Sequence, residues 1–183
     1  MNVSPTAIPG LNVVDTDPRT DARGSFARWY CERELQGLIG ARRIVQINCS
    51  RTTTVGAVRG LHFQFRPNAE MKLVRCIRGR VWDVAVDLRR SSPTFLQAHG
   101  EELSGENGRM MVIPEGFAHG FQVLEADSEL LYLHTAFYEP AAEGGVRHDD
   151  PALGIHWPLT VTDLSPRDRS HPLIDAHFAG LLS

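Results

Sequence analysis

Residues 80–88 (RVWDVAVDL) constrain the fold more than any other stretch of this chain. Trp82, Val84, Val86 and Leu88 fall on one side of a two-residue repeat, with Asp83, Ala85 and Asp87 on the other, the periodicity of a β-strand. Similar short runs rich in β-branched residues recur at 43–49, 55–64, 72–77, 109–113, 120–124 and 129–137, separated by Gly- and Pro-bearing turns. The turn at Arg78-Gly79 predicts that 72–77 and 80–88 form a hairpin or lie on adjacent strands. One short helix is expected, residues 32–39 (ERELQGLI), closed by Gly40. Strands at this spacing with so little helix predict an all-β sandwich or barrel. The tail from Pro140 onward reads as loops and short turns covering that barrel.

The length of 183 residues fits one domain spanning 1–183 with N- and C-terminal arms. Hydrophobic residues at 42% and charged residues at 22% exclude a disordered or collagen-like chain. No apolar run approaches the roughly 18 residues of a membrane span. A net charge of −3 argues against a surface for nucleic acid or any general polyanion, while a local arginine cluster could still hold a small phosphate ligand. Cys31, Cys49 and Cys76 stand apart without a CxxC pair, so neither a disulfide framework nor a structural zinc site is expected. Each cysteine reads as a small buried apolar residue. The first residues (MNVSPTAIPGLNVV) lack the basic region and apolar core of a secretion signal, and the expected location is cytoplasmic.

The sharpest local motif is Gly108-x5-Pro114-x-Gly116-x2-His119 (GRMMVIPEGFAH), which matches the second motif of the cupin superfamily. The first cupin motif would be Gly56-x5-His62-x-His followed by a glutamate. Here Gln64 replaces the second histidine, and Glu70 sits at a looser spacing. A three-histidine, one-glutamate metal set is therefore incomplete, and His62 and His119 fit acid–base or hydrogen-bonding roles better.

The stretches VRGLHFQ (58–64), KLVRCIRGRVWDVAVDLRRSSPTF (72–95), IPEGFAHGFQVL (113–124) and DPALGIHWPL (150–159) closely resemble the dTDP-4-dehydrorhamnose 3,5-epimerase family. DARGSF (21–26) and LSPRD (164–168) extend the resemblance to both ends. It implies a cupin-type jelly-roll, a homodimer, no metal or other cofactor, and a nucleotide-diphosphate 4-keto-6-deoxyhexose as substrate. A 4-keto group acidifies the hydrogens on C3 and C5, so epimerisation needs a base, a stabilised enolate and an acid on the opposite face. The resemblance implies His62 as base, paired with Asp168, Lys72 at the developing C4 oxyanion with His119 as a second donor, and Tyr132 as the acid. Asp83 would support them. For the nucleotide it implies Arg23 and Arg59 on the diphosphate, Gln46 and Asn48 nearby, Tyr138 and Phe26 against the base, and Glu143 and Arg167 as further contacts. Strict alternation puts Arg59 and His62 on opposite faces, and Gly60 between them permits a bulge that would bring them together. Tyr132 and Tyr138 share strand parity and would lie roughly 20 Å apart along one strand.

Three positions depart from the family pattern. Arg28 replaces a glutamate read as a thymine contact. An arginine only donates, so a base with an unprotonated N3, such as cytosine, becomes an alternative. Leu133 and His134 replace residues beside the acid. His134 shares the face of Tyr132 and would narrow the cleft or act as a second acid–base group, which raises inversion of a single carbon as an expectation. The alternatives from another class are a metal-dependent or non-catalytic ligand-binding cupin, and 3,4-ketoisomerase chemistry, disfavoured by the motifs.

Overall fold

The computed structural model describes residues 1–182. Its strands are β1 (Asn2–Pro5), β2 (Asn12–Asp15), β3 (Arg19–Asp21), β4 (Gly24–Phe26), β5 (Gln46–Thr52), β6 (Val58–Gln64), β7 (Lys72–Arg78), β8 (Arg80–Asp87), β9 (Ala98–Ser104), β10 (Met110–Ile113), β11 (Phe117–Val123), β12 (Ser128–His134) and β13 (Glu143–Gly145). Two short helices, α1 (Glu32–Ile39) and α2 (Pro166–Ser170), complete the framework with a single 3₁₀ turn at Pro140–Ala142. One sheet runs β1-β2-β10-β7-β12-β5 and the other β13-β6-β11-β8-β9, while β3 and β4 pair only with each other. This is the expected jelly-roll of two facing antiparallel sheets.

Apolar side chains fill three layers rather than one. Between the sheets lie Val74, Cys76, Val81, Ala85, Met111, Phe121 and Leu130. On the outer face of the six-stranded sheet, Leu35 and Ile39 of α1 pack against Leu73, Met110, Val112 and Leu133. On the outer face of the other sheet, Leu61, Phe63, Val84, Val86 and Leu88 meet Leu153, Trp157, Ile174, Phe178 and Leu181 of the C-terminal tail. The apolar stripe of β8 thus faces the tail, and its polar stripe, with Asp83, faces the space between the sheets. Charged groups on that inner face, Asp83 among them, are tolerated only where they are paired or hydrogen-bonded.

The expected pairing of 72–77 with 80–88 does not occur. β7 belongs to one sheet and β8 to the other, so Arg78-Gly79 is a corner between sheets. Gly79 has φ +72°, and a Cβ there would lie 2.4 Å from the Ser128 hydroxyl. Ser128 is fully buried; its Oγ accepts from the Arg80 backbone N–H at 3.0 Å and donates to the Glu125 carbonyl at 2.6 Å, pinning the corner. The last predicted strand also stops early. β12 ends at His134, so Tyr138 sits in an extended loop and the parity argument linking it to Tyr132 does not apply. Of the cysteines only Cys76 is buried; Cys31 is half-buried and Cys49 exposed. Among the described residues, no helix is long and apolar enough to cross a membrane.

Candidate active site

A cleft of about 890 Å³ opens between the sheets and the start of α2, a size suited to a ligand larger than a monosaccharide. Its walls carry Asn48, Arg59, His62, Lys72, His119, Tyr132, His134, Tyr138, Glu143, Arg167 and Asp168.

His62 reaches the cleft because β6 is irregular. Along β11, His119 pairs with His62 but Phe121 pairs with Arg59, so three residues of β6 oppose two of β11. The extra residue is absorbed at Gly60 (φ +118°), where a Cβ would lie 2.6 Å from the Gly120 Cα. The bulge turns Arg59 and His62 to the same side, as the glycine predicts. Asp168 comes from the far end of the chain. The tail runs beside β6 through the Val58–Leu164 bridge, and the Ser165 hydroxyl caps α2 by accepting from the Asp168 N–H at 3.0 Å. Asp168 Oδ1 then accepts from His62 Nε2 at 2.6 Å, and Oδ2 from the Gly60 N–H at 3.2 Å. Burial pushes the Asp168 carboxyl up, but the His62 bond and charge and the Gly60 N–H outweigh it, and its pKa falls below the usual value. With Nε2–H committed to a carboxylate, the lone pair of His62 resides on Nδ1.

A second imidazole–carboxylate pair lies beside the first. His119 Nε2 donates to Asp83 Oδ1 at 2.8 Å, both residues buried. The His119 ring packs edge-on to Tyr132, with ring centroids 6.1 Å apart. Tyr132 shares a hydrogen bond with the Ser50 hydroxyl at 2.9 Å. Burial drives the Tyr132 phenol well above its ordinary pKa, so it stays protonated at neutral pH.

Lys72 donates to the His62 carbonyl at 3.2 Å and lies 3.3 Å from Glu70 Oε1. The other Glu70 oxygen accepts from His134 Nδ1 at 2.7 Å, and Asn48 Nδ2 approaches His134 Nε2 at 3.4 Å. The His134 ring stacks on Tyr132 at 6.1 Å and 23°, inside the cleft wall, while Leu133 points to α1.

Toward the open end, Tyr138 OH donates to Glu143 Oε2 at 2.6 Å, and Arg167 pairs with the other Glu143 oxygen. Gln46 lies behind this loop, its Oε1 accepting from the Tyr138 N–H at 3.1 Å. Gln64 accounts for the missing cupin histidine. Its amide donates to the carbonyls of Asn68 and Phe137 and accepts from the Glu139 N–H, holding the Tyr138 loop. With Gln64 and Glu70 both committed, the cupin ligand positions do not assemble a metal set.

Three expected contacts lie elsewhere. Arg23 is bonded to Asp21 on the exposed β3–β4 hairpin, and Phe26 at the end of that hairpin is 74% exposed. Arg28 pairs with Glu34, which also binds the N-terminal ammonium at 2.9 Å. Ser50 in the cleft wall and His171 beside His62 carry no role in the motifs, and Gln64 and Glu70 appear there only as incomplete cupin ligand positions; each is held by a cross-strand or tail contact that spacing does not encode.

A jelly-roll holding three imidazole–carboxylate pairs, a buried ammonium and a protonated phenol in and around one cleft has the make-up of an acid–base cupin. A sequence model described as dTDP-4-dehydrorhamnose 3,5-epimerase matches residues 5–176, and the chain belongs to that family. It is 45% identical over 177 residues to the dTDP-4-dehydrorhamnose 3,5-epimerase of Salmonella typhimurium, covering 96% of each chain. It is 39% identical over 184 residues to a dTDP-4-dehydrorhamnose 3-epimerase of Streptomyces niveus, covering 100% of this chain and 88% of that one. Among solved structures it resembles dTDP-6-deoxy-D-glucose-3,5-epimerase from Legionella pneumophila in complex with dTDP-4-keto-L-rhamnose, with TM-score 0.91, 41% identity and coverage of 99% and 97%.

Proposed function

We propose that the chain epimerises a dTDP-linked 4-keto-6-deoxyhexose at C3 and C5, with His62 as base and Tyr132 as acid. The observation that carries this reading is the His62–Asp168 pair lining the same cleft as a partly buried, protonated Tyr132. Nδ1 of His62 takes the proton from the carbon next to the ketone, and Asp168 stabilises the imidazolium that forms. Lys72, with one N–H left beyond Glu70 and the His62 carbonyl, meets the negative charge growing on O4. Tyr132 returns a proton to the other face of the enolate, and a solvent proton then restores the phenol, the Ser50 hydroxyl taking one proton as it passes its own along their shared bond. Asp83 holds His119 in place.

Arg59, Arg167 and Asn48 are positioned for the diphosphate, because guanidinium forks pair with phosphate oxygens, and Tyr138 with Gln46 and Glu143 for the base end. Arg23 and Phe26 lie on a hairpin outside the cleft, so in this reading the protein works as a homodimer in which the hairpin reaches a neighbouring copy. Arg28 is occupied by Glu34, which favours thymine over the cytosine alternative. The stacking of His134 on Tyr132 supports one second reading, inversion at a single carbon. Proton NMR in D2O separates them: loss of both H3 and H5 signals supports double inversion, loss of one supports the second reading, and loss of neither overturns both. Parallel reactions with dTDP- and CDP-linked substrates test the base, and equal turnover would contradict the thymine assignment.

A further inference from the structure

We propose that His62, Asp168 and His171 form a site for a zinc-like divalent cation that switches the catalytic base off. The ligand atoms of the three residues all lie within 4.8 Å of one another. His171 follows α2 directly, and its ring meets His62 edge-on with centroids 6.2 Å apart. Its Nε2 is buried and has no hydrogen-bond partner. A buried imidazole nitrogen without a partner lacks compensation for its lost hydration, and a cation held by its neighbours supplies that partner.

The seat for this ring is built into the strand pairing. Gly145 stands opposite His62 in the β13–β6 register, and a Cβ at Gly145 would lie 2.3 Å from His171 Nε2. Only a glycine there lets the second imidazole rest beside the first. Two imidazoles and one carboxylate match a zinc donor set with the fourth tetrahedral position left to water, at bond lengths of about 2.0–2.2 Å. Ligand atoms in such a tetrahedron are separated by roughly 3.4 Å, so His171, on the tail rather than in a strand, closes by up to about 1.4 Å from within 4.8 Å, and the His62–Asp168 pair opens by about 0.8 Å from 2.6 Å. Glu143 and Arg167 also face this corner, and they neutralise each other as an ion pair.

The chemical consequence follows from the tautomer of His62. Its Nε2–H donates to Asp168, and Nδ1 carries the lone pair that abstracts the substrate proton. A cation on Nε2 takes that nitrogen's lone pair, and the Nε2 proton relocates to Nδ1. No proton is gained or lost by the ring, yet the nitrogen that acted as base becomes an N–H. Zinc is therefore an inhibitor here and not a cofactor. The loss of activity rests on the proposed function, whereas the binding does not.

The test begins with zinc chloride alone, by calorimetry, without substrate. The wild-type protein should bind one ion, His171→Ala should bind at least about tenfold more weakly, and His171→Cys, which restores a zinc ligand, should recover binding. Equal affinity in the wild type and His171→Ala, or no binding at all, would overturn the site. X-ray absorption of the zinc-loaded wild type keeps the test decisive if the variants do not fold: two imidazoles plus oxygen are expected, and a single imidazole contradicts the proposal. In the epimerisation assay, zinc should suppress the wild-type rate relative to its metal-free value, EDTA should restore it, and His171→Ala should need about tenfold more zinc. Binding without inhibition would remove the switch and leave the site.

Discussion

The proton inventory of the cleft rests on a few buried pairs whose partners dictate which nitrogen or oxygen carries hydrogen. Asp168 fixes the ring of His62, Asp83 fixes that of His119, and burial keeps Tyr132 protonated. Replacing His62 by Asn should lower kcat by about 10²–10⁴-fold with little change in KM, because the lost proton transfer belongs to the transition state. Steady-state kinetics checks this, and a rate within about threefold of wild type would remove His62 from the mechanism. The carboxylate of Asp168 has a lowered folded pKa, against about 3.9 in an unfolded chain. Its contribution to stability is complete above that unfolded value and is lost as pH falls through the lower folded one. Asp168→Asn should therefore lower the urea midpoint at neutral pH and flatten its acid dependence, measured by denaturation between about pH 2 and 7. An unchanged acid limb would contradict the assignment. The gathering of Arg59, His62, Arg167 and Asp168 in one cleft was legible in the chain because the motifs VRGLHFQ and LSPRD carry them. Glu70 was legible only as a loosely spaced cupin position, and Ser50 and His171 not at all, since each depends on a neighbour brought close by another strand or by the tail.

At the scale of elements, the catalytic geometry hangs on a bulge and a corner. Gly60 turns Arg59 and His62 to one face of β6 while its N–H holds Asp168. Gly60→Ala places a Cβ 2.6 Å from the Gly120 Cα at φ +118°, and should destabilise the fold by about 3 kcal/mol. Urea denaturation reads this directly, and an unshifted midpoint would mean that the bulge relaxes freely. The bulge was readable because a glycine inside a strand, between two residues required on one side, marks where the backbone can absorb an extra residue. α1 was readable to its ends, Glu32 and Ile39, because Gly40 stops it at φ +59°. The Arg78-Gly79 turn misled because a tight glycine turn looks the same whether its strands pair or part into two sheets. β1, β2 and β9 escaped notice for another reason. β9 (AHGEELS) is an edge strand with a largely polar pattern, and β1 and β2 are four-residue segments too short to show a periodicity.

For the whole molecule, the apolar layer between the sheets gives way at the cleft to charged groups, which are tolerated there because they pair with one another. The C-terminal tail both seals one outer face and delivers Asp168, so fold and function share one segment. Removing the tail's packing should cost both together: Trp157→Ala should lower stability by about 3–5 kcal/mol and reduce kcat, and full activity in a destabilised variant would separate the two roles. The homodimer reading predicts a species of about twice the 20.3 kDa chain mass in sedimentation, and a monomer with full activity would refute it. The central claim is proton exchange at the two carbons flanking a ketone, driven by one histidine. Proton NMR of a dTDP-linked 4-keto-6-deoxyhexose in D2O, with wild type and His62→Asn side by side, tests it most directly. The H3 and H5 signals should be lost with the wild type and both retained with the variant. Persistence of both signals with the wild type, or equal loss with the variant, would contradict it.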